Sequence, residues 1–335
     1  MKIKIYFSCF CIITALMFLV SLQVGKVDLQ YADIIGALLY HTDEINHQLV
    51  LNYRLPKSIT ACLVGVALPI AGFLMQELFK NPLADPSVLG VTSMASLGVA
   101  MVIFLCSLMG LDLYLNNPWL IICASFLGSI VALFLILIFA SRVKSSSSLV
   151  ILGFMLSGLA GALIGTMQYF SSSEKIKSFL MWGFGSLSGL SWEQVAIFAV
   201  IVAIGVLLSI FTLRGITALL LGDFYARSLG INVKQLRLLI LISTALLTAA
   251  ATAFTGPIGF IGLAIPHICR SILKTGDMKL LYRWIIVSGI FFTLLFSILT
   301  EVFPFGTLPI NIITSLIGAP IVISILLNKK WEVSS

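Results

Sequence analysis

The feature that most limits how this chain can fold is a series of long runs almost free of charge. Residues 58–76, "SITACLVGVALPIAGFLMQ", are typical. A stretch of roughly 20 apolar residues, as a helix, crosses a hydrocarbon core of about 30 Å. On that criterion the spans are 5–25, 58–76, 87–111, 119–141, 149–170, 194–213, 238–255, 284–300 and 308–328. A shorter apolar segment, 257–269, is interrupted by Pro257 and Pro266 and counts as a half-length or re-entrant crossing, which makes ten. Of the 335 residues, 60% are hydrophobic and 10% charged, against about 25% charged in soluble domains. The expected architecture is all-α: one polytopic membrane domain over 1–335, with about ten transmembrane helices, two inverted-repeat-like halves and short broken helices.

The net charge of +7 would suit a nucleic-acid binder if it were clustered, but it is divided by side. With the N-terminus inside, Lys2, Lys4, Lys80, Arg142, Lys144, Arg214, Arg227, Lys234, Arg237, Arg270, Lys274, Lys279, Arg283, Lys329 and Lys330 fall on the cytoplasmic face. Lys26, Arg54, Lys57, Lys175 and Lys177 fall outside. Basic loops resist translocation, so the charge reports topology: both termini cytoplasmic, a lipid bilayer as partner and no nucleic acid. Arg54 and Lys57 run against the trend.

Lys2 and Lys4 ahead of an apolar run resemble a signal peptide, but no A-x-A-like site follows and the run continues to Val24, which favours an uncleaved first helix. The six cysteines form no C-x-x-C pair and read as small apolar fillers. Residues 28–53 are polar, with an amphipathic stretch "YADIIGALLYH" expected as a short helix on the outer surface. His41 and His47 lack the i, i+4 spacing of a helical metal pair, so no metal site or other cofactor is expected.

Two segments break the helical pattern, "FKNPLADPSVLG" at 79–90 and "TGPIGFIGLAIPH" at 255–267. Proline removes a backbone donor and glycine admits unusual dihedrals. Non-helical backbone at that depth must be buried in protein or line an aqueous path. The charge count places the first break at the inner face and the second at the outer, as an inverted repeat would. In the fifth span Ser157, Gly161 and Gly165 form a small-residue strip, suited to close helix packing or to a smooth translocation path.

The chain has no G-x-x-x-x-G-K-[ST] phosphate loop, His-Glu metal motif or serine nucleophile elbow. Nor do the spans carry a central carboxylate of the kind an ion-coupled carrier places at the midplane; Glu77 and Asp85 fall at an inner boundary, Asp112 and Glu301 at outer ones. A transporter built this way draws its energy from elsewhere, most simply a partner ATPase. In "LLLGDFYARSLGINVKQLR" (219–237), Asp223 can cap a helix and Gly230 suits the left-handed C′ position. The enclosed helix is too short to persist alone in water. It is either an ordinary inter-helix turn or a docking element.

These residues resemble the permease subunits of ABC importers for vitamin B12, ferric siderophores and haem, the FecCD transport family. The likeness runs from about residue 50 to 328: "RLPK", "GVALPIAGFLMQELFKNPLADPSVLGV", "SSSSLVILGFMLSG", "MWGFGSLSGLSW", "LGDFYARSLGINV", "GPIGFIGLAIPHICR" and "LPINIITSLIGAPIVI", in order. The resemblance implies a non-enzymatic, ten-helix subunit of the bacterial inner membrane that pairs with a second copy around a central pathway. Two ABC ATPase subunits and an extracytoplasmic substrate-binding protein would complete it. It implies that Gly222, Asp223, Ala226, Arg227, Leu229 and Gly230, within 220–236, form the coupling helix seated in the ATPase. Ser146 and Ser147 match the cytoplasmic gate, and Ser157, Gly161, Gly165 and the segment near 174–180 would line the route. Arg54 and Lys57 match an outer basic pair that receives acidic knobs of the binding protein, where charge-assisted contacts would form. His267 in "PHICR" reads as structural. An iron chelate or haem is the expected cargo, cobalamin the alternative, and an ion-coupled secondary carrier the rival class.

One departure stands out. Many members of the family it resembles carry an Asp-x-x-x-Arg element near the outer end of the ninth span, followed by "ELPVG". Here Ser297 to Glu301 is the nearest match, followed by "TLPIN", so an acid stands about where a third outer cation is expected.

Overall fold

A computed structural model describes residues 2–25, 27, 29–39, 44–110, 117–142, 146–303 and 306–327. Lys26, His41, Asp112 and Lys144 lie outside the described residues. Among the described residues every regular element is helical. α1 (Lys2–Gln23) is followed by two short helices, α2 (Tyr31–Leu39) and α3 (Glu44–Leu49). α2 is amphipathic as expected, burying Ile34 and Ala37 and exposing Tyr31 and Ile35. A π-helical turn, Val50–Arg54, leads into α4 (Leu55–Phe79). A 3-10 turn (Pro86–Leu89) then precedes α5 (Val91–Leu108), α6 (Pro118–Arg142), α7 (Ser146–Tyr169) and α8 (Ser173–Gly183). The remainder is α9 (Trp192–Leu220), α10 (Asp223–Ser228), α11 (Val233–Thr255), α12 (Ile261–Leu273), α13 (Met278–Glu301) and α14 (Ile310–Leu327).

Local chemistry sets the boundaries. Ser191 and Gln194 form a reciprocal capping box at the start of α9, satisfying two orphan donors at once. Asn232 accepts from the Gln235 amide at 3.1 Å to open α11, and Asp277 accepts from Lys279 and Leu280 to open α13. α4 stops at Lys80 in the left-handed region (φ 48°), before Pro82 and Pro86 exclude further helix.

Among the described residues 8 helices are long and apolar enough to cross a membrane, and α12 and α14 are shorter apolar helices. The expected count of ten therefore rests on these two. α4 and α11 form the centre, each with 78% of its apolar window buried, whereas α1 and α7 are only 17% buried and stand at the periphery. α4 packs against α9, α11, α12 and α13. It approaches α13 backbone to backbone: a Cβ on Gly65 would lie 2.5 Å from the Gly289 carbonyl oxygen. With no apolar gain in leaving lipid, such close contact and interhelical hydrogen bonds hold the bundle. Examples are Ser243 Oγ to the Gly205 carbonyl at 2.8 Å and Ser209 with the Tyr282 hydroxyl at 2.5 Å.

The two breaks do not stay at opposite faces. A Cβ on Gly262, at the start of α12, would lie 3.3 Å from Asp85 Oδ1 and 2.9 Å from the Leu68 carbonyl. The first break thus folds inward to the middle of α4 and meets the second there. Half-length α12 is pinned beside α4 by Arg270, which donates to Gln76 Oε1 and Glu77 Oε1, both at 2.6 Å, with its guanidinium over the Phe73 ring. The Gln76 amide donates to the Leu263 carbonyl at 3.1 Å.

Candidate functional site

Three places concentrate the residues singled out by sequence. The first is α10, at the bundle end expected to be cytoplasmic. Its N-cap is Gly222 (φ 110°) and no side chain caps it. The expected cap by Asp223 does not form. As the first helical residue, Asp223 turns its carboxylate sideways, and Oδ2 accepts from Arg237 Nη2 of α11 at 2.7 Å. The far end closes as anticipated around Gly230 (φ 78°). The Gly230 amide donates to the Arg227 carbonyl (2.9 Å) and the Ile231 amide to the Ala226 carbonyl (3.1 Å), the Schellman pattern.

Ala226 is fully buried. Three residues beyond Asp223 on the same helix face, it seats α10 on α9 and α11 of its own bundle. The outward face is Phe224, 92% exposed, with Tyr225, Arg227 and Leu229 also exposed. Phe224 and Arg237 were not singled out from sequence. The signal for Phe224 was an aromatic one position past a helix start, on the face opposite the one that must bury.

The second place is the opposite end, where the tails of α1 and α13 meet the heads of α4 and α14 around a cavity of about 520 Å³. Neither expected docking cation stands open there. Arg54 is 6% exposed. Its guanidinium donates to the Leu22 carbonyl at 2.8 Å and to the Gln23 and Val27 carbonyls. The last carbonyls of α1 lack intrahelical donors, and a five-donor planar cation in reach satisfies several together. Lys57, one turn further on, crosses to α13 and pairs with Glu301 at 2.5 Å, with side chains 14% and 15% exposed. In this chain, then, one cation of the pair terminates a helix and the other is paired with Glu301. α4 and α13 run antiparallel, so the head of one faces the tail of the other, a juxtaposition that a topology diagram contains.

The segment Phe184–Gly189 walls this cavity and a second of about 250 Å³, both of which touch Ser186, Ser188 and Gly189. It is tied down on two sides. The Ser186 amide donates to the Thr255 carbonyl at 2.7 Å, and the Asn311 amide to the Phe184 carbonyl at 3.3 Å. Asn311 Oδ1 in turn accepts from the Gly259 amide at 3.0 Å.

The third place is α7. Ser146 and Ser147 form its first turn, and their side chains lie outside the described ones. Ser157 Oγ would lie 3.4 Å from a Cβ on Gly90, whereas a Cβ on Gly161 or Gly165 meets nothing within 4 Å. The small-residue strip therefore divides. Its upper two members pack on no described helix and face outward, beside Phe154, Met155 and Leu159.

Comparison with known proteins agrees with this arrangement. The FecCD transport family model matches residues 13–328. The chain is 32% identical to the hemin transport system permease protein HmuU of Yersinia pestis, over 95% of both chains. It is 31% identical to the molybdate import system permease protein MolB of Haemophilus influenzae, over 96% of this chain and 94% of that one. Among solved structures it superposes, with TM-score 0.82 and 30% identity over 98% of this chain and 99% of the other, on an inward-facing transporter assigned to the metal-chelate ABC type. Matched over nearly its whole length, this multi-pass membrane chain belongs to the FecCD transport family.

Proposed function

We propose that the chain is the membrane permease of an ATP-driven ABC importer, working as a homodimer with two cytoplasmic ATPase subunits and an external substrate-binding protein. Its termini would face the cytoplasm of a bacterial inner membrane. The observation that carries this reading is α10: a one-and-a-half-turn helix seated by Ala226, tied by Asp223 to Arg237, and presenting Phe224, Tyr225 and Leu229 to water. Covering one exposed phenylalanine is worth about 2–3 kcal/mol, which supports a partner that buries this knob. The outward face of α7, with Gly161 and Gly165, is the surface that would meet the second copy and line the path. Ser146 and Ser147 would gate its inner end. The cargo is an iron chelate, either a ferric siderophore or haem, with cobalamin the alternative. The binding protein would dock over the 520 Å³ cavity, an acidic group of its own competing with Glu301 for Lys57.

The rival, an ion-coupled carrier, needs a carboxylate within the bundle, and the inward fold of the first break supplies Asp85. Uptake of ferric siderophore, haem or cobalamin into proteoliposomes separates the two. Uptake that requires ATP and the ATPase, and that persists with Asp85→Asn, is expected. Uptake driven by a proton or sodium gradient without the ATPase, and abolished by Asp85→Asn, would overturn the assignment.

A further inference from the structure

α11 joins the two functional ends of the molecule. Its 23 residues (Val233–Thr255) span about 34 Å at a rise of about 1.5 Å per residue, from the foot of α10 to the wall between the two cavities. Its apolar window is 78% buried, packed among α4, α6 and α9.

Both ends are fastened, the lower by a side-chain ion pair and the upper through backbone. At the lower end Arg237 holds Asp223 of α10 at 2.7 Å. At the upper end the Thr255 carbonyl accepts from the Ser186 amide at 2.7 Å, and Gly256 abuts the same segment. A Cβ there would lie 2.5 Å from the Trp182 carbonyl oxygen and 3.1 Å from Gly185 Cα. With φ at 73°, Gly256 turns the chain sharply where α11 meets the cavity wall. A contact made backbone to backbone transmits displacement, because no side-chain rotamer can absorb it.

We propose that Asp223 and Arg237 are positioning residues for transport: they lock α10 to α11, so that movement of α10 is delivered along α11 to Phe184–Gly189 and changes the shape of the 520 Å³ cavity. This rests on the reading that α10 seats in an ATPase. The ion pair is the joint at which ATP hydrolysis would be converted into work at the far end. Without it α10 still binds and the ATPase still turns over, while the stroke is lost.

The test uses the full complex of permease, ATPase and binding protein in lipid nanodiscs and proteoliposomes, with a fluorophore on Ser188→Cys in an otherwise cysteine-free chain. Asp223→Asn is isosteric and Arg237→Gln removes the charge while keeping much of the aliphatic stem; their side chains are 43% and 35% exposed, so the fold does not depend on them, and a melting temperature within about 2 °C of the parent, roughly 1 kcal/mol at most, verifies this. The expected result has three parts: Arg237→Gln, which alters no residue of α10, retains ATPase copurification; in both variants ATP hydrolysed per molecule transported rises at least about fivefold; and the Ser188 signal no longer follows nucleotide state. Arg237→Lys, which keeps a cation facing Asp223, should recover much of both. An unchanged ratio and an unchanged Ser188 response in both neutral variants would overturn the proposal. Failure of the underlying reading looks different: the ATPase would then copurify regardless of Phe224→Asp, whatever the state of the ion pair.

Discussion

Removing one partner of the Lys57–Glu301 pair is expected to destabilise the protein more than removing both. The nitrogen–oxygen distance is 2.5 Å and both side chains are about one-seventh exposed, with both residues lining the cavity. At an effective dielectric of about 20, unit charges at that separation attract by roughly 7 kcal/mol before desolvation. Loss of hydration offsets most of that. What remains lies between an exposed pair at about 0–1 kcal/mol and a buried one at about 3–5 kcal/mol, so the coupling expected here is about 2 kcal/mol. Glu301→Gln leaves an ammonium facing a neutral amide, and Lys57→Gln strands the carboxylate; each should lose roughly 1.5 kcal/mol, and the double variant should lie about 1 kcal/mol below the parent. The assay is a double-mutant cycle on thermal unfolding of the purified permease. Strictly additive losses would refute the coupling. A second readout follows from docking: Glu301→Gln exposes Lys57 to an acidic partner, so binding-protein association should speed up at low salt.

Two other expectations contrast a packed position with an open one. Phe224→Asp should weaken ATPase copurification on the order of 30- to 100-fold, the equivalent of about 2–3 kcal/mol. Ala226→Ser, on the buried face, should change stability and leave partner affinity near the parent value; the reverse pattern would show that α10 presents the opposite face. Gly65→Ala puts a methyl 2.5 Å from the Gly289 carbonyl and should reduce stability by about 1–3 kcal/mol. Gly161→Ala, whose methyl meets open space, should leave the melting temperature of the isolated chain unchanged. Equal shifts for the two variants would contradict the described helix contacts.

Sequence by itself determined where the helices are. Apolar runs long enough for a bilayer can be satisfied only as helices, because lipid offers the backbone no hydrogen bonds. Thus 119–141 was expected and Pro118–Arg142 is found. The C-terminal closure of α10 was also legible, because Gly230 supplies a local backbone conformation that few other residues adopt. Tertiary structure decided where polar side chains point. Asp223 could cap or pair, and Arg237 on the next helix took it. Arg54 and Lys57 were equally plausible as exposed cations until α1 brought bare carbonyls to one and α13 brought Glu301, 244 residues away in sequence, to the other. Asp85 moved from an expected boundary to the middle of α4 for the same kind of reason. A helix follows from local pattern and solvent, whereas the partner of a charge depends on which distant segment the packing sets beside it.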